Sequence, residues 1–124
     1  MSLDIGYSFL QLIHWLGITL VVLAFGGVLL FTLSGGKRDN APRKRIAITH
    51  GVGLLLALIG GFGMVGRAGI AFPFPGWLWC KLVIWLALGG LLGLAYRRES
   101  AKMLWFVVPL LVLIAGFMAL VRPF

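Results

Sequence analysis

Pro73-Phe-Pro-Gly-Trp-Leu-Trp-Cys-Lys-Leu82 passes from a proline-stiffened aromatic loop into an apolar run with a lysine about a turn and a half inside it. A charged ammonium at membrane depth costs about 2.5–3.5 kcal/mol on insertion scales unless it snorkels to the interface or faces a polar partner. Lys81 therefore has two readings. Either its methylenes pack while the ammonium reaches the headgroup layer, or it serves a site inside the bilayer. The second reading needs a partner, and His14 is the candidate at nearly the same depth.

The rest of the chain makes membrane depth the right frame. Of 124 residues, 61% are hydrophobic and only 11% charged, and the mean hydropathy is +1.08, more apolar surface than a soluble domain can hide. Four apolar blocks, about residues 8–33, 46–66, 77–96 and 103–121, each approach the ~20 residues that a hydrocarbon core requires. The expected fold is an all-α integral membrane protein, a single four-transmembrane-helix bundle over residues 1–124. The opening Met1-Ser-Leu-Asp4 has no basic segment and the first block is too long for a signal core, so a first span is expected rather than a cleaved signal peptide. The single Cys80 forms no internal disulfide and reads as a small buried residue.

A formal charge of +8 invites a nucleic-acid reading, but the basic residues sit in connectors, where they set topology. Nucleic-acid binding is rejected on that ground. Residues 37–45 hold five positive charges and residues 96–102 hold three, against Arg67 in the other connector and Arg122 in the tail. Both basic connectors should face the cytoplasm, which puts both termini on the outer (periplasmic) side.

Taken in order, the polar positions gather towards the outer face. His14 lies roughly 9 Å inside the outer end of the first span. Gly17, Val21 and Ala24 follow on its face, and Gly17 leaves room either for a flat ligand or for close helix contact. Gln11, one turn outward, reads as a hydrogen-bond partner that orients His14 or as an interfacial residue. The null for His14 is a hydrogen bond to a neighbouring helix. His50 falls near the cytoplasmic end of the second span, something like 15 Å or more from His14 in depth, so the two make a poor pair for one haem. Thr49-His50 is expected to meet headgroups or to cap polar groups. The glycines of Gly60-Gly-Phe-Gly63 and Gly66 thin the second span at the depth of His14, for tight packing, a pocket, or both. Phe72-Pro-Phe-Pro-Gly76 reads as a lid or an anchor. In the third span Trp77, Lys81, Trp85 and Gly89 share one stripe, and Gly89 with Gly93 suggests a small-residue helix contact. Pro109 is expected to kink the fourth span. Carboxylates occur only as Asp4, Asp39 and Glu99, at ends or in connectors, so acid–base work inside the membrane would rest on His14 and Lys81.

Several segments resemble the bacterial J-type, four-helix membrane protoporphyrinogen IX oxidases and, more loosely, the copper-resistance D membrane proteins. The matching pieces are Leu12-Ile-His14, the basic run into Ile48-Thr-His50, Gly76-Trp-Leu-Trp-Cys-Lys-Leu82, and Val108-Pro109 leading to Val121-Arg-Pro-Phe124. The chain departs from the family pattern at Trp79, where a histidine is common, and at Phe106-Val107, where an Asn-Glu is common. The resemblance implies a multi-pass protein of the bacterial inner (cytoplasmic) membrane that oxidises protoporphyrinogen to protoporphyrin in porphyrin biosynthesis. It also implies a bound haem b, with functional residues falling on His14 and Lys81. A flat macrocycle suits glycine-faced, tryptophan-lined helices, so Gly17, Trp77 and Trp85 are its expected contacts. Neutral imidazole makes His14 the expected metal ligand, and Lys81 would meet a propionate or assist proton transfer. A membrane quinone would serve as electron sink. Besides membrane lipid, glycine-rich outer faces permit a homodimer or a larger complex. The alternatives to an oxidase are a non-catalytic b-haem electron carrier and a cofactor-free accessory subunit.

Overall fold

The computed structural model describes residues 5–124; the opening Met1–Asp4, including the carboxylate of Asp4, lies outside the described residues. The chain is all-helical: α1 Ile5–Leu33, α2 Arg43–Arg67, α3 Gly76–Gly90 and α4 Arg98–Val121, with 3-10 turns at Arg38–Asn40 and Leu91–Tyr96. Four helical segments, the third being α3 continued to Tyr96, are long and apolar enough to cross a membrane.

Local chemistry explains where the helices stop. At the end of α1 the N–H of Gly36 bonds to Phe31 O (2.9 Å) and that of Gly35 to Thr32 O (3.1 Å), with Gly35 at φ 97°. The end of α2 repeats the pattern, Ile70 N–H to Val65 O (3.1 Å) and Gly69 N–H to Gly66 O (3.2 Å), with Gly69 at φ 73°. Both are Schellman stops, in which a left-handed residue lets the chain reverse while two orphan carbonyls are satisfied; glycine takes that φ without steric cost. Pro42 and Pro75 stand immediately before α2 and α3, where a missing N–H costs nothing. Pro109 lies inside α4, which runs from Arg98 to Val121 without a break.

Packing is dominated by the antiparallel pair α1 and α2. A Cβ added at Gly17 would collide with Ala57 N and lie 2.6 Å from Gly53 O; one added at Gly53 would lie 2.7 Å from Gly17 O. One added at Gly60 would lie 2.5 Å from His14 N and 2.6 Å from Leu10 O. The backbones are thus in contact over two turns, which only small residues permit. The main core forms at the other end of the bundle, around Phe25, Val28, Leu104 and Ala95. Thr32 Oγ1 donates to Ala95 O (2.8 Å) there, and the Arg38 guanidinium lies 5.7 Å from the Tyr96 ring centroid, so the two basic connectors share one end. At the opposite end Trp77 N–H donates to Phe124 O (3.0 Å), which joins the start of α3 to the tail of α4.

The third span, Gly76–Tyr96, is α-helical to Gly90 and then tightens into the 3-10 turn at Leu91–Tyr96. Of the two glycines expected to make a small-residue helix contact, Gly89 faces α2, where a Cβ would touch Leu54 at 3.5 Å, while Gly93, inside that turn, has nothing of this chain within 4 Å of where a Cβ would stand.

Candidate functional site

A cavity of about 550 Å³ opens between all four helices at the end that holds Trp77 and Phe124. Its size falls in the range of roughly 300–1,000 Å³ usual for cofactor and small-molecule sites. His14, Lys81, Trp77 and Trp85 all line it, so two turns of α3 and the His14 face of α1 meet across a common space. The helical period does this for α3, since positions four apart share a face. Nothing in the sequence states that α1 presents His14 to that face. The α1–α2 crossing decides it, because with backbones in contact at Gly60 the imidazole has to pass beside α2.

His14 Nδ1 lies 2.7 Å from Ala57 O. A carbonyl only accepts, so Nδ1 carries the proton and neutral imidazole keeps its lone pair on Nε2. Gln11 lines the cavity but is not this partner; a backbone carbonyl of α2 is. Gly61 gives the ring its room, since a Cβ there would stand 3.4 Å from Nδ1. Trp85 Nε1–H donates to Leu54 O (2.9 Å), which pins the indole as a fixed wall. Trp77 is buried at the end of the bundle that holds Phe124, against Val65 and Leu78. Lys81 makes no hydrogen bond or ion pair among the described residues.

Gly17 does not line the cavity. Of its two readings, the structure gives close helix contact, and the α2 backbone fills the space a ligand would need. Residues 72–76 do not line the cavity either. Phe74 stacks with Phe72, Phe62 and Trp79 at 5.5–5.9 Å between centroids, clasping the loop between α2 and α3 as an anchor.

Of the two readings of His50, the structure gives the capping of a polar group and not the headgroup contact. His50 is buried, not at a headgroup surface; its Nε2–H donates to Leu88 O (2.9 Å) and its ring meets Phe25 edge-on at 5.4 Å. Leu88 sits just before the switch to 3-10 pairing, where the i to i+4 ladder changes register. With His14 level with Gly60 and His50 level with Phe25, eleven residues along α1 separate the histidines, about 16 Å in depth.

Sequence reasoning missed Arg122 as a site residue and read it only as a tail charge. It lines the cavity, with its guanidinium 4.5 Å from the Trp77 ring centroid. The signal available was topological, since the start of α3 and the end of α4 adjoin in an up-and-down bundle. Trp79 and Phe106, where the resembled family is commonly polar, both point out of the bundle, 48% and 75% exposed. Comparisons with family models, with curated proteins and with solved structures return no match for this chain.

Proposed function

We propose that this protein binds haem b in the four-helix cavity and acts as a membrane oxidoreductase of the protoporphyrinogen IX oxidase type, its electrons passing to the quinone pool. In this reading it sits in a bacterial inner membrane with the basic connectors cytoplasmic and both termini outside. The observation that carries it is His14, whose Nδ1–H is committed to Ala57 O and whose Nε2 is therefore left as a ligand nitrogen in an apolar cavity.

The residues present fit such a group. Among the described residues no three His, Cys, Asp or Glu side chains converge, so a metal held by His14 has to arrive with its other ligands already in place, as in a macrocycle. Bound haem supplies reversible one-electron chemistry. Every other task belongs to the chain. The Ala57 carbonyl fixes the His14 tautomer and ring orientation. Trp85, pinned on Leu54 O, presents a flat wall, and Leu88 and Val112 keep water from the deep end. Lys81, which lines the cavity and has no hydrogen bond or ion pair among the described residues, is placed to hold a propionate or to pass a proton outward.

A second reading, a b-haem electron carrier without catalysis, is favoured by one observation. No carboxylate lines the cavity among the described residues, so the proton acceptors that substrate oxidation requires are few.

Protein purified gently from haem-replete cells should show a Soret band. His14→Ala should abolish it and His50→Ala should keep most of it. Loss in His50→Ala with retention in His14→Ala would put the haem at the wrong end. No band in wild type would make the chain a cofactor-free accessory subunit. Rescue of a strain lacking its porphyrinogen oxidase is the outcome expected of an oxidase and not of a carrier.

A further inference from the structure

The cavity holds two cations and, among the described residues, no anion. Arg122 closes α4 in a left-handed conformation, φ 51°. Its Nε–H donates to Ala119 O (3.1 Å) and its guanidinium is stacked on Trp77. Those two contacts fix its plane and leave its Nη–H donors without a hydrogen bond or ion pair among the described residues. Lys81, one helix away, lines the same cavity and is equally without a hydrogen bond or ion pair among the described residues. The described acidic side chains stand at the far end of the bundle, Asp39 in the first basic connector and Glu99 in the first turn of α4. Like charges against low-dielectric walls are mutually unfavourable, and an anion between them removes the conflict. Polarity is also confined to one end, since Val21, Leu54, Leu88 and Val112 line the other. A ligand that matches both ends is amphipathic, with its charge along one edge. Because the cations come from separate helices, two carboxylates satisfy them better than one.

We propose that Lys81 and Arg122 form a two-point carboxylate clamp, with Arg122 a ligand-binding residue, which takes an amphipathic dicarboxylate with its charged edge outward and its apolar body towards His14. The inference rests on the reading of this cavity as a porphyrin site and adds to it the residue and the ligand's orientation.

The test uses the full chain in neutral detergent with metal-free protoporphyrin IX and its dimethyl ester, followed by quenching of tryptophan fluorescence. Wild type should bind the diacid at least about tenfold more tightly than the ester, as expected of charge-assisted contacts in a desolvated site. Arg122→Gln and Lys81→Met should each cut that preference to about threefold or less with ester affinity unchanged, and Arg122→Lys should restore part of it. The unchanged ester affinity shows that a variant is folded. Equal binding of diacid and ester by wild type overturns the clamp and leaves the porphyrin reading standing. Binding of neither overturns both. A preference that survives in both variants puts the anion contact elsewhere and overturns the clamp.

Discussion

Gly60→Ala perturbs the fold and the site through one added methyl. The new Cβ would lie 2.6 Å from Leu10 O and 2.5 Å from His14 N, whereas ordinary contact begins near 3.4 Å. Because both neighbours are backbone, no side chain can swing away, and α1 has to withdraw from α2 by about 0.8 Å, a shift that a packed interior resists. Ala57 lies one turn from Gly60 on the same face of α2, so the 2.7 Å bond from His14 to Ala57 O opens to about 3.5 Å, outside hydrogen-bonding range. Overpacking costs about 1–3 kcal/mol and the lost bond about 0.5–1.5 kcal/mol. The better helix propensity of alanine offsets about 0.5–1 kcal/mol. The net expectation is a destabilisation of about 2 kcal/mol, measured by unfolding in mixed micelles of increasing SDS fraction. Gly26→Ala, also inside a helix but with nothing within 4 Å of its Cβ, should be neutral or stabilising. Gly60→Ala should also weaken haem retention, because His14 loses the acceptor that sets its tautomer. If Gly60→Ala and Gly26→Ala unfold alike and retain pigment alike, the α1–α2 contact does not position His14, and the account of the site fails with it.

In a Cys80→Ala background, an impermeant thiol reagent should label Ser2→Cys in intact cells and spare Ser34→Cys, beside the first basic connector; the opposite pattern overturns the topology. Lys81→Met keeps volume and loses charge, so complementation activity should fall more than about tenfold, over ~1.4 kcal/mol of transition-state stabilisation, with helix content unchanged. Lys81→Arg keeps the charge but does not release a proton, so it should rescue a propionate contact and not a proton relay. Met and Arg variants that both complement as well as wild type would return Lys81 to a snorkelling role. His50→Phe removes the donor to Leu88 O in a buried setting and should cost about 1–3 kcal/mol of stability in the same micelle titration; no measurable loss would show that the bond is dispensable.

The spans were legible because hydropathy and length are local properties: an apolar run of about 20 residues needs no knowledge of its neighbours to be recognised. The same holds for the charge contrast between connectors, and for the Lys81 stripe, which follows from the helical period along one segment. The two Schellman stops were written locally too, in Gly35 and Gly69, although hydropathy alone does not register them. What the sequence left open was every pairing across helices. His14 meets Ala57, His50 meets Leu88, Trp85 meets Leu54 and Thr32 meets Ala95, each through a backbone carbonyl. All residues have that acceptor, so no residue type marks it, and which carbonyl is used depends on the register at which α1 slides against α2 and α3 turns into its 3-10 end. Gly17 shows the same limit, since a missing side chain suits a ligand and a helix equally until the crossing puts Gly53 and Ala57 against it. Arg122 shows it most plainly: forty-one residues from Lys81 in the chain, it becomes a site residue only because α4 ends beside the start of α3.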